Sequence, residues 1–125
     1  MLDVKKLLAK LTGRVAFKPT QLYNTRTETT KVGTNWEYHT HAFLANWDAI
    51  AVRFIVHEHI EFIYIVRGDT IERSLTDWPS AGKFRGTIYV DWANSRIGIR
   101  AISAGTSGSH YNLIYYSTIY GIVPH

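Results

Sequence analysis

Six histidines are the side chains of this 125-residue sequence best suited to chemistry, and four of them form two His-x-His pairs, His39-Thr40-His41 and His57-Glu58-His59. On a strand, positions i and i+2 point to the same side, so each pair could offer two imidazoles to one metal ion. A third ligand would come from His110 or Glu61, or from symmetry, since a trimer would set three such pairs around one axis. The competing reading places His57-Glu58-His59 in a solvated hairpin knuckle and His39 and His41 on a sheet face. That reading carries more weight, and no cofactor is expected. Asp69, Glu72 and Asp77 lie close together in sequence, and a pair of carboxylates is the minimum for glycoside hydrolysis. An acidic turn is far more often only a turn. There is no Gly-x-Ser-x-Gly elbow, no glycine-rich loop opening a helix and no His-Glu-x-x-His, so the chain is read as a non-enzyme.

Aromatic side chains are the better lead for binding. Trp92 keeps the parity of Ile88 and Val90 and belongs to the core, and Trp47 precedes a strand and plugs a sandwich end. Trp78 sits between Asp77 and Pro79 in a loop. An exposed indole beside a carboxylate and a guanidinium can stack on a sugar ring while the polar groups take its hydroxyls. Trp78, Asp77 and Arg73 are therefore the candidate binding residues. The alternative is a Trp78 folded back over a sheet end or buried between subunits. Near the end of the chain, Tyr115, Tyr116 and Tyr120 fall on both parities of one strand. One face would then be core and the other a subunit contact, where tyrosine is enriched.

The frame for these residues is β. Ile50, Val52, Phe54 and Val56 share one parity, and Ile60, Phe62, Tyr64 and Val66 share one parity in the next run. Period-two alternation of β-branched and aromatic residues marks strands. Both faces of both runs are apolar, which predicts a central strand pair rather than an edge. Further strands are predicted over 36–43, 70–75, 83–92, 96–104 and 110–123, with turns at 77–82, 94–95 and 105–109. Seven or eight short strands without an internal helix indicate an all-β fold, a jelly-roll-like β-sandwich. The absence of cysteine excludes disulfides and thiol chemistry.

Ahead of this body, residues 2–11 predict a short helix, with Asp3 as cap, Val4, Leu7, Leu8 and Leu11 on one stripe and Gly13 as a stop. About nine residues cannot hold a helix alone in water, so the stripe must pack on the domain or on copies of itself. Leu7, Leu8 and Leu11 are the candidate assembly residues. The polar, Thr-rich stretch to Gly33 reads as an extended linker or an arm that crosses a neighbouring subunit, which divides the chain into 1–33 (helix and arm) and 34–125 (sandwich head). Residues 1–33 carry seven basic and two acidic side chains, a net +5, and the remainder sums to −1. Such an arm could touch nucleic acid, but a solvated arm is the simpler reading and nucleic acid is not expected as a partner. The apolar start is too short and too basic for a membrane span or a signal peptide.

Three segments carry a family resemblance: Phe84-Arg85-Gly86-Thr87-Ile88-Tyr89-Val90-Asp91, then Arg96-Ile97-Gly98-Ile99, then Tyr115-Tyr116-Ser117-Thr118-Ile119-Tyr120-Gly121-Ile122. With the Leu/Lys start and the Thr-rich arm, residues 34–122 resemble the head domains of minor structural, tail-fibre and receptor-binding proteins of phages and prophages of Gram-positive hosts. The resemblance implies a β-sandwich head on a stem, a homotrimer, location in a virion among other virion proteins, and attachment to a host-surface glycan without catalysis. It brings no invariant ligand residues. Two alternatives stay open: a purely architectural capsid or tail decoration protein, and a lectin-like or nucleic-acid-binding module that uses the basic arm.

Overall fold

A computed structural model describes residues 19–27, 29 and 35–125. The predicted helix with Leu7, Leu8 and Leu11 lies outside the described residues, as does the boundary placed at residue 34. Among the described residues no helix is long and apolar enough to cross a membrane.

The alternating runs become strands, and the strands form two antiparallel four-stranded sheets. The elements are β1 (Thr20–Asn24), β2 (Glu37–Thr40), β3 (Trp47–Val56), β4 (His59–Val66), β5 (Arg73–Asp77), β6 (Phe84–Asp91), β7 (Arg96–Ala104) and β8 (Ile114–Pro124), with three short 3-10 turns at 42–46, 92–94 and 111–113. Sheet A has the order β1-β8-β3-β4 and sheet B the order β2-β7-β6-β5. The chain changes sheet at each step from β1 to β3, runs β3-β4 as a hairpin, crosses to sheet B for β5, β6 and β7, and returns for β8. Thr20–Asn24, within the stretch read as an arm, is extended as expected and pairs with β8 of its own chain.

Ile50, Val52, Phe54 and Val56 all point inward and are fully buried, meeting Ile88, Val90, Ile97 and Ile99 from sheet B. Trp92 is buried, and the indole of Trp47 lies over Gly121 beside the core. One expectation is corrected. β3 is central, but β4 is the edge of sheet A, and the outward side chains Ile60, Phe62 and Tyr64 are 48%, 43% and 69% exposed. An apolar outer face therefore did not signal a covered strand.

A second correction concerns parity. The register of β3 against β8 slips between Arg53, opposite Thr118, and Phe54, opposite Tyr116. This β-bulge puts an extra residue into β8 and reverses the facing of everything beyond it. Tyr116 consequently points inward and is fully buried, while Tyr120 points outward.

Gly86 on sheet B lies tight against side chains of sheet A. A methyl group there would sit 2.5 Å from Ile114 Cγ2 and 3.1 Å from the ring of Phe54. Gly86→Ala should cost about 1–3 kcal/mol, the usual range for overpacking, and a lowered midpoint of urea unfolding at unchanged slope would register it.

Candidate functional site

The residues with chemical potential fall into four places: a loop end, an interior cluster, and the outer faces of the two sheets. The loop end is made by the β3-β4 turn, the loop between β5 and β6, and the loop between β7 and β8. His57 and Glu58 form a two-residue turn with His57 at φ 57°, a conformation that non-glycine residues adopt sparingly. Asp77 holds that turn. The His57 Nδ1–H donates to Asp77 Oδ2 at 2.6 Å, and the Glu58 backbone N–H donates to the same oxygen at 3.1 Å. The bond from His57 is the main reason the Asp77 carboxyl titrates below its ordinary value, followed by the bond from Glu58. The His57 ring stacks on Phe84 at 4.5 Å, and His59 donates from Nδ1 to the Thr76 carbonyl at 3.0 Å. His57 and His59 thus spend themselves on β5 as a structural clasp between the sheets.

Trp78 stands beside this clasp, 71% exposed, with the Lys83 ammonium 4.5 Å from its ring centroid. Asp77 is its chain neighbour, but Arg73 is not brought near. Arg73 begins β5 at the opposite end of the sandwich, where it pairs with Asp69 at 2.5 Å and donates to the Ile71 carbonyl. The three candidate sugar contacts therefore do not converge, because i and i+4 lie a full strand apart on a β ladder.

His39 points inward from β2, and His41 follows it at the cap of the 42–46 turn. His41 Nε2 shares a 2.7 Å hydrogen bond with the Tyr116 hydroxyl, and its ring packs against Phe43 and edge-on to Tyr23. His39 lies edge-on to Tyr116, and its buried Nε2 finds no hydrogen-bond partner among the described residues. Burial holds the His41 imidazole down to about 4, with the neighbouring His39 as the second cause, and burial also lowers His39. Burial raises the Tyr116 hydroxyl. Among the described residues no three His, Cys, Asp or Glu side chains gather into a group that could hold a metal ion, and His41, His57 and His59 hydrogen-bond to Tyr116, Asp77 and Thr76.

The outer face of sheet A is apolar. Pro19, Ala51, Phe62, Tyr64, Tyr120 and Ile122 line a shallow hollow of about 230 Å³. Tyr120 belongs to this face, Tyr115 is half-buried under the Arg26 guanidinium at 4.0 Å, and Tyr116 is removed from the candidate interface because it is inside the core.

The outer face of sheet B is aromatic and cationic, and sequence reasoning passed over it. Gly98 on β7 faces Tyr38 on β2 and Tyr89 on β6 in register. A methyl group at Gly98 would be 2.5 Å from the Tyr89 ring and 3.2 Å from the Tyr38 ring, so the glycine lets both rings close over the strand. The Tyr89 hydroxyl donates to the Tyr38 hydroxyl at 2.9 Å. Burial, then this bond, push the Tyr89 phenol up to about 12. Trp36 meets Tyr89 edge-on at 4.8 Å. The Arg96 guanidinium lies 3.8 Å from the Tyr38 centroid and the Arg100 guanidinium 4.4 Å from that of Trp36. Asp91 Oδ2 accepts from Asn94 Nδ2 and Arg96 Nε, which in that order lower its carboxyl. Arg96-x-Gly98-x-Arg100, with aromatics at the register positions on either side, was the available signal. It needed strand pairing to be read.

No protein-family model, curated protein or solved structure matches the chain.

The interior cluster has a pH consequence. The folded protein holds His41 below the 6.5 of a free imidazole, so the unfolded chain takes up the proton first. Stability should be full above pH 6.5, fall on acidification to about pH 4, and then level off for this group. The loss should be on the order of 3 kcal/mol at most. Urea unfolding at several pH values should show this slope, reduced in His41→Gln. Trp78→Ala, in contrast, should change stability by no more than about 0.5 kcal/mol.

Proposed function

We propose that this chain is a non-enzymatic structural protein of a phage or prophage virion: a jelly-roll-like head on a short helix-and-arm stem, assembled as a homotrimer and attached to a host-surface saccharide. The jelly-roll-like wrap is supported by the change of sheet at each step from β1 to β3 and again from β7 to β8. The family resemblance of residues 34–122 supplies the virion setting.

The observation that carries the assembly reading is the outer face of sheet A. Ile60, Phe62 and Tyr64 are large, apolar and exposed, and they adjoin the hollow between Ala51, Tyr120 and Ile122. Contiguous exposed apolar surface of this kind marks an interaction site. The same face bears a protruding ring, Tyr64, and a shallow apolar hollow, so a second copy of the chain offers both the knob and the seat. Arg53, which donates to Ser117 at 2.9 Å, is the one charged side chain among the outward residues of β3. A polyanionic partner would find little to pair with here.

Light scattering on the full-length protein should give a multiple of the 14.3 kDa chain mass. The variant Phe62→Ser/Tyr64→Asp should shift it toward the protomer without loss of strand signal. A full-length protein that runs as a monomer at micromolar concentration would end the assembly reading.

A further inference from the structure

We propose that the saccharide contact lies on the outer face of sheet B, on the platform built from Tyr38, Tyr89 and Trp36 with Arg96, Asp91 and Asn94, and that its ligand is an uncharged pyranose. This inference rests on the saccharide reading above and gives it a place and a ligand class. Tyr38, Gly98 and Tyr89 form one row across three strands, and the missing side chain at Gly98 is what lets the rings lie against the sheet. The rings are fixed before any ligand arrives: by the hydroxyl-to-hydroxyl bond, by the edge-on contact with Trp36 and by the stacked guanidinium of Arg96. A site that is already ordered loses little entropy on binding.

Tyr38 stays 41% exposed in spite of these contacts. The Arg96 guanidinium covers one face of its ring, and the part that remains exposed is the apolar surface for the C–H face of a sugar. Directly beside it, Arg96 uses Nε on Asp91 and has no partner among the described residues for its terminal nitrogens. Those N–H groups, the second Asp91 carboxylate oxygen and the Asn94 amide oxygen supply donors and acceptors for ring hydroxyls, while Asp91 Oδ2 holds Asn94 and Arg96 in place. This combination of a planar apolar surface with a few fixed polar groups is the general chemistry of small-ligand sites.

Charge chooses within the saccharides. Arg96 faces Asp91 at 2.8 Å and Arg100 faces Glu72 at 3.5 Å, so each stacked cation already has a carboxylate beside it. A polyanion would gain little from such a balanced surface. Among the described residues Trp78 at the loop end has one cation and no second aromatic ring beside it, and the nearby Asp77 Oδ2 is committed to the β3-β4 turn.

The test is binding of the intact protein to an immobilised panel of neutral hexose and N-acetylhexosamine oligosaccharides, with heparin as the polyanion control. The wild type should bind members of the neutral panel and leave heparin unbound at 0.15 M salt, roughly the physiological ionic strength. Tyr38→Ala and Arg96→Gln should each weaken that binding about tenfold or more, while Trp78→Ala binds as wild type. Arg96→Gln alters only a half-exposed surface group, so it decides the matter should Tyr38→Ala fold poorly. Fluorescence offers a second readout: the neutral glycan should perturb the emission of Trp36, and Trp36→Phe should remove that response. Binding retained in both platform variants but lost in Trp78→Ala would overturn the platform and leave the saccharide reading standing. A wild type that binds no neutral glycan, or only heparin with steep salt dependence, would overturn both.

Discussion

Everything in the described structure depends on how β8 is held. It is the only strand of sheet A paired on both sides to elements that are not its chain neighbours, with β1 on one flank and β3 on the other. Its bulge at Ser117–Thr118 sends Tyr116 into the interior. There the ring is met by His41 and Tyr23, while its backbone carbonyl accepts from the Thr27 amide at 2.9 Å. Thr29 fastens the next stretch, donating its hydroxyl to the carbonyls of Tyr111 and Ile114. The residues after β1 are therefore tied to β8 by hydrogen bonds that satisfy buried polar groups, as burial requires.

The two sheet exteriors then diverge in chemistry although the interiors are alike. Sheet A turns aliphatic and phenolic side chains outward with scarcely a charge. Sheet B turns out Arg96 and Arg100, each layered on an aromatic ring and each beside a carboxylate. The difference follows from composition at the outward positions of β4 and β7: Ile60, Phe62 and Tyr64 on one, Arg96, Gly98 and Arg100 on the other. A molecule with one greasy flank and one polar aromatic flank suits a component that packs against its own kind on one side and meets a hydroxylated surface on the other.

Strand existence was legible from alternation, and the body from β2 to β8 appears where the pattern placed it, within a few residues. What alternation could not carry was lateral order. Both faces of β4 are apolar, which reads as coverage, yet β4 is an edge. Parity also fails at a bulge, because one added residue exchanges inside for outside; Tyr116 and Tyr120 share a parity and lie on opposite faces for that reason. The same limit explains the platform. Tyr38 and Tyr89 are 51 positions apart and meet only through the register of β7. Trp78, in contrast, drew notice because its loop context could be read locally. The His-x-His pairs looked alike in sequence and differ in fate: one is drawn inside with a tyrosine, and the other braces a turn through a carboxylate.

The placement of β8 also bears on how the molecule reaches this state. Thr118 bonds to Asn24 across 94 positions of chain, and β1 and β3 cannot join into one sheet until the strand between them is in place. Loop closure of that span is an entropic barrier that local contacts do little to lower. Three strands of sheet B, β5, β6 and β7, can assemble from neighbouring hairpins before β2 joins them, whereas sheet A must wait for a late, long-range insertion. In the interval the edge of β3 and the inner apolar rows of both sheets are open to other chains. A slow final step and sensitivity to crowding during synthesis are the natural costs of this topology.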